Sequence, residues 1–428
     1  MQRFSLVQAR AALRRWTAHA PRGHFWMFFA AWIFFTLGFS IFYFLFNIYL
    51  IGFGWTEQTL GYIGSLMAAG SILGTIPTGK LIERIGLRWT LMLGAALAVS
   101  LSVLRTSLVW QPLQLVLALL GGIAMCTWAV CLPPVIAAVA KEEQRPFAFS
   151  LMFSSGIGFA GVGGLVAGNL PGLLRNSAWS RRLTGHVLSV TQADRATLLT
   201  GCCVAALALI PLARIALPMP TMPARRARVR NPFLWSFLPA VAIWGLVTGS
   251  FAPFANVYFV HHLGVSLEKT GTIFSVSQLV QFAAILSAPL LFRRVGLARG
   301  IMCTQLATAV SLGLLAASRT VPFASSVYCT YMAAQYMNEP GIYSLLMART
   351  TEKQRSSASA ATLFVNATAQ ALSALAMGWA IVRFGYSASL SAVAVLALVA
   401  AALFRRLSRI RVESHSDVGG EAAMEPLL

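Results

Sequence analysis

Carboxylates are scarce in this chain: 12 Asp and Glu stand against 33 Lys and Arg among 428 residues, and charged residues of both signs make up only 11%. Soluble domains carry roughly 25%, so a solvated globular surface is excluded. Histidine is sparse as well, with His24, His261 and His262 at the edges of apolar runs, and neither His-x-x-x-His nor Cys-x-x-Cys occurs. Metal-ligand spacing and paired acid/base groups are therefore missing. No enzyme activity, catalytic residue, cofactor or metal is expected. The six cysteines (126, 131, 202, 203, 303 and 329) all fall inside apolar runs, which argues for buried packing residues and against a disulfide framework.

Apolar sequence fills the space left by charge. Mean hydropathy is +0.72 and 57% of residues are hydrophobic, the composition of an integral membrane protein. Counting runs long enough to cross about 30 Å of hydrocarbon gives twelve spans: 24–51, 59–82, 87–109, 112–140, 146–168, 196–216, 232–260, 268–292, 298–317, 322–347, 357–382 and 386–407. The formal charge of +21 does not mark a nucleic-acid surface, because the cations lie in short loops beside the spans. Most of them fall on the side that holds the N-terminus, the loop 217–231 and the C-terminus, which puts both termini in the cytoplasm. The excess of Arg over Lys points to a bacterial inner membrane. No small-residue cleavage site follows the first apolar run, so no signal peptide is expected.

The chain repeats itself. Glu142, Gln144 and Arg145 recur 210 places later as Glu352, Gln354 and Arg355. Gly61 answers to Gly271, Gly168 to Gly378, Arg84-Ile85-Gly86-Leu87 to Arg294-Val295-Gly296-Leu297, and Asn47/Tyr49 to Asn256/Tyr258 after a one-residue slip. Self-similarity over half a chain predicts two homologous helical bundles. The expected organisation is a basic segment 1–23, a six-helix bundle 24–216, a basic Pro/Arg linker 217–231, a second six-helix bundle 232–407 and a tail 408–428. Residues 169–195, an external segment unique to the first half, are expected to form an interfacial helix, a lid or a plain surface excursion.

Between spans two and three the sequence reads Gly79-Lys80-Leu81-Ile82-Glu83-Arg84-Ile85-Gly86-Leu87-Arg88. It resembles the signature loop of the major facilitator superfamily (MFS), with Glu83 where the family usually has Asp and Leu87 at a usual basic position. The resemblance implies an all-α integral membrane protein of twelve transmembrane helices in two pseudo-symmetric six-helix bundles, in which a monomer suffices. Independently of the family, Gly86 permits a tight turn, and Glu83, with Arg84 and Arg88, can pair with the neighbouring bundle. Gly79, Glu83, Arg84, Gly86 and Arg88 are thus the expected cytoplasmic gate.

One acid, Glu339, falls inside a span. It lies eleven residues from Thr350, about 16 Å along a helix, and a carboxylate at that depth costs roughly 2.5 to 3.5 kcal/mol. Helical spacing gathers Tyr328, Tyr331, Gln335, Asn338 and Glu339 on one side of span ten, with Pro340 able to kink it. Two readings stay open: a pathway-lining stripe in which Glu339 carries a coupling proton, or a protonated Glu339 that binds span eleven. The expected substrate contacts are Asn47, Asn256, Gln278, Tyr331, Gln335, Asn338 and Asn366, with an aromatic wall from span one.

Gly156, Gly158, Gly161, Gly163, Gly164 and Gly168 in span five are similar to the glycine-rich motif of proton-driven drug antiporters of the superfamily. Leu165 and Asn169 replace that motif's Pro and second Gly, and span four lacks its Arg. The expectation is a secondary active transporter whose partners are a small-molecule substrate, protons and the lipid bilayer, exporting amphipathic organic compounds. Proton-coupled uptake of a neutral solute such as a sugar, and a non-transporting sensor of the same fold, remain open.

Overall fold

The computed structural model describes residues 23–141, 144–178, 182, 186–217 and 232–407. All but the last residue of the N-terminal basic segment 1–23, all but the first residue of the linker 217–231, the tail 408–428 and Glu142 lie outside the described residues. Every regular element among those described is a helix. Helix α1 is His24–Ile51, and Glu57–Ser107 is two helices, α2 (57–85) and α3 (87–107), joined at Gly86. There follow α4 (Gln111–Val139), α5 (Arg145–Asn176) and α6 (Val190–Ala206, prolonged by Leu209–Arg214). The second half repeats this order: α7 (Pro232–Phe251, prolonged by short turns to His262), α8 (Leu267–Val295), α9 (Leu297–Ala316), α10 (Val321–Ala348), and then Glu352–Leu407, which divides at Gly385 into α11 (352–384) and α12 (386–407).

The divisions are backbone events. Gly86 and its repeat partner Gly296 have φ of 81° and 85°, a region that only glycine enters without strain, so the chain reverses at the same place in both halves. Nine helices among the described residues are long and apolar enough to cross a membrane. Two of the nine are the glycine-divided pairs, and α10 is outside the nine because its Tyr, Gln, Asn and Glu dilute its apolarity. Following the alternation of the helices, the start of α1 at His24, the end of α12 at Leu407 and the turns at 86 and 296 share one face of the molecule, here the near face. The α1–α2 and α7–α8 connections lie on the far face.

The repeat governs how the halves meet. Gly61 of α2 packs on Gly378 of α11, and Gly168 of α5 packs on Gly271 of α8. A methyl carbon at Gly61 would lie 2.7 Å from the Ala374 carbonyl oxygen, and one at Gly168 would lie 2.9 Å from that of Leu267, so both crossings are backbone against backbone. Hydrogen bonds repeat with the same exchange: Ser65 Oγ donates to the Ala371 carbonyl and Ser275 Oγ to the Gly161 carbonyl, each at 2.6 Å. Within the bundles, Tyr49 Oη donates to Thr106 O at 3.0 Å and Tyr258 Oη to Leu315 O at 3.1 Å.

Two expectations change. The ends of the segment 169–195 belong to the spans: α5 continues to Asn176, and α6 starts at Val190 behind a capping box of Ser189 and Gln192. Cys203 and Cys303 are exposed on the bundle surface, whereas Cys126, Cys131 and Cys202 are buried.

Candidate functional site

A cavity of about 800 Å³ opens between the two halves. Its first-half wall is aromatic because α1 places rings at helical spacing: Phe35 lies 4.6 Å from Phe39 and stacks 4.2 Å from Trp128 of α4, and Phe39 stacks 5.7 Å from Tyr43. The second half contributes Pro253 and Asn256 from α7, and Phe274 and Gln278 from α8. At 800 Å³ it falls within the size range of small-molecule sites.

The far side of the cavity is clasped by repeat partners. Asn47 Nδ2 donates to the Pro253 carbonyl at 2.7 Å, and Asn256 Nδ2 donates to the Phe44 carbonyl at 2.6 Å. Each amide therefore bridges α1 and α7 in reciprocal sense. Pro253 sits in a 3-10 turn, Ala252–Phe254, that interrupts α7, and an interrupted helix frees carbonyl oxygens for such partners. Replacing Asn47 or Asn256 by Ala removes one bond, worth about 0.6 and at most about 1.7 kcal/mol in a membrane protein. The expected outcome is a severalfold shift towards a state open on the far face. Spin labels at Phe53→Cys and His261→Cys are expected to show a longer-distance population in either variant, and an unchanged distance distribution would refute the clasp.

Arg105 is the charge that the sequence reading missed. It lies near the far-face end of α3, only 2% exposed, and it lines the cavity. Its Nε donates to Gln114 Oε1 at 3.2 Å, Nη1 reaches Met67 Sδ at 3.5 Å, and the guanidinium stands 4.3 Å over the Phe46 ring. Nη2 is buried without a hydrogen-bond partner. Among the described residues no carboxylate pairs with it, although removing a charge from water costs several kcal/mol. A signal was present in the repeat. Tyr49/Tyr258 and their acceptors Thr106/Leu315 fix the local offset, which sets Leu314 opposite Arg105, so the cation breaks the pseudo-symmetry.

Of the expected substrate contacts, Asn47, Asn256 and Gln278 line the cavity, the two asparagines with their donors already engaged in the clasp. Tyr331, Gln335, Asn338 and Asn366 do not line it, nor does Glu339. The stripe on α10 turns largely into its own bundle. Asn338 is fully buried and accepts from Thr304 Oγ1 of α9 at 2.9 Å, Tyr331 packs on Phe251 of α7, Gln335 is buried, and Asn366 lies beside Gly245 of α7. Buried amides need partners in hydrocarbon, and here these are only partly supplied: Asn338 Nδ2, Gln335 Oε1 and Asn366 Oδ1 are buried with no hydrogen-bond partner among the described residues. Glu339 is half-buried, with no hydrogen bond to any described residue. In the expected gate, Glu83 and Arg84 are exposed, and Arg88 donates to the Ala213 carbonyl at the end of α6, in its own bundle. Gly79 has open space around it.

Comparison with protein families matches residues 27–374 to the Major Facilitator Superfamily. The chain belongs to that family. It is accordingly a multi-pass membrane protein of a transporter family, acting on a small-molecule substrate. No curated protein matches the sequence. Solved structures share its fold. A bacterial homologue of the human lysosomal transporter Spinster, inward-facing and unoccupied, is 13% identical with a TM-score of 0.72, over 90% of this chain and 97% of that one. The nucleoside transporter NupG is 13% identical with a TM-score of 0.69, over 90% and 98%. The xylose transporter XylE from E. coli, inward open, is 16% identical with a TM-score of 0.68, over 92% and 98%.

Proposed function

We propose that this protein is a proton-coupled exporter of amphipathic small organic molecules that works by alternating access, with both termini and the near face in the cytoplasm of a bacterial inner membrane. The observation that carries the proposal is the cavity: an aromatic wall from one half faces α7 and α8 of the other. The glycine crossings and the reciprocal asparagine clasp sit at its far side. In this assignment the structure is the cytoplasm-open state, with the near-face loop at Glu83 and Arg84 disengaged from the second bundle. Rocking about the pseudo-twofold would break the clasp and bring that loop against the second bundle.

Glu339 is the proposed proton carrier. Its repeat partner Ala129 lines the cavity from α4, and this correspondence supports a carboxyl on the matching flank of α10 that reaches the pathway as the bundles rock. Export is tested in liposomes holding the purified protein and a trapped pH dye, under an imposed pH gradient, with amphipathic aromatic compounds and sugars added singly. Protons are expected to move against an amphipathic compound and to ignore sugars. Proton movement in the same direction as the compound would replace export by uptake, and movement with sugars alone would overturn the substrate class.

A further inference from the structure

We propose that the transported molecule is an organic anion, its charged group seated on Arg105 and its apolar body on the Phe35, Phe39 and Trp128 wall. The proposal rests on the cavity being the transport site and names the substrate class of that site. Three observations carry it. Arg105 lines the cavity while 2% exposed, and its Nη2 is buried with no partner. The described lining residues include no Asp or Glu, so nothing at hand neutralises the guanidinium. Its remaining contacts are weak or neutral: the Met67 thioether, the Phe46 ring face and the Gln114 amide oxygen.

These neighbours hold the group still without quenching it. Gln114 is itself held, donating to the carbonyl oxygens of Arg105 and Leu108, so the Arg105 side chain is oriented by a clamp at the α3–α4 junction. A planar guanidinium whose Nη2 is unpartnered fits a carboxylate or sulfonate. In a low-dielectric cavity it repels a cation as strongly as it attracts an anion. The aromatic surface beyond it suits a ring or an alkyl body, and Tyr43 on the same wall offers a hydroxyl to the anionic group.

The test is isothermal titration of the purified full chain with three probes of one shape: naphthoate, naphthamide and naphthylmethylammonium. Naphthoate is expected to bind at least tenfold more tightly than the amide, and the ammonium to bind least. In Arg105→Met the preference for naphthoate is expected to vanish with amide affinity unchanged, whereas Arg105→Lys retains part of it. Met67→Glu sets a carboxylate beside the guanidinium and is expected to abolish naphthoate binding while raising thermal stability, which decides the matter if Arg105→Met fails to fold. Ammonium binding equal to or tighter than naphthoate, or undiminished naphthoate affinity in both Arg105→Met and Met67→Glu, overturns the anion assignment and leaves the transport site standing. Failure of all three probes to bind counts against both.

Discussion

Leucine at Gly61 or at Gly271 is expected to abolish transport while leaving a folded protein open on the far face. Both glycines face the other bundle, not their own core, so the side chain enters the crossing itself. A methyl carbon there meets the Ala374 carbonyl from Gly61 and the Gly164 carbonyl from Gly271, and backbone cannot yield as a side-chain end can. Overpacking of this kind costs about 1 to 3 kcal/mol, charged only to the state in which α2 lies on α11 and α5 on α8. A two-state equilibrium moves by about 5- to 150-fold for that difference. A cysteine at Ser65, whose hydroxyl bridges to Ala371 at the same crossing, is expected to react with an external membrane-impermeant maleimide far faster in Gly61→Leu than in the unsubstituted protein. Gly313→Leu is the control, since Gly313 has open space around it; it should transport and label normally. Normal transport in Gly61→Leu would show that the crossing stays fixed through the cycle.

The same crossings show how far the sequence could be read. A 210-residue repeat with Gly61 matched to Gly271 and Gly168 to Gly378 already implies two bundles related by a twofold. Under that rotation any contact of α2 with α11 must have a counterpart of α8 with α5. Which glycine touched which was not legible, because periodicity says that residues share a face and not which helix lies opposite. The stripe on α10 meets the same limit. Tyr331, Gln335 and Asn338 do share a face, but that face meets α7, α8 and α9, where Thr304 donates to Asn338 Oδ1. The start of α6 was legible and overlooked: Ser189 and Gln192 form a capping box, and the polar first turn behind it hid the helix from a count of apolar residues.

Arg105 and Glu339 illustrate the complementary limit. Depth within a span was enough to single out Glu339, whereas Arg105 sits within a few residues of a span end, where a cation ordinarily reaches water. Only the three-dimensional placement of α1 over the end of α3 buries it, with the Phe46 ring across its guanidinium. Both groups break the pseudo-symmetry, with Leu314 and Ala129 as their counterparts. At these two positions a charged group in one half therefore faces an apolar residue in the other.

Glu339→Gln is expected to reduce pH-gradient-driven flux to background while leaving exchange of labelled for unlabelled substrate intact. Gln keeps the shape and the half-buried position but cannot take up a proton, and Glu339 lies outside the described cavity lining, so binding at the Arg105 end is not disturbed. The direction of coupling follows from charge. For a monovalent anion leaving a negative interior against an entering proton, both movements are favoured by the membrane potential. Each elementary charge is worth about 2.3 kcal/mol per 100 mV. The coupled carrier at equal pH therefore sustains a concentration ratio of about two-thousandfold at that potential, and the Gln variant, moving the anion alone, about fiftyfold. Uptake by one-for-one proton symport would be electroneutral and gain nothing from the potential, which is the physical reason an anion site with a single proton carrier favours export. Steady-state accumulation at a clamped potassium-diffusion potential reads the difference. Equal ratios for Glu339→Gln and the unsubstituted protein would place the coupling proton on another residue.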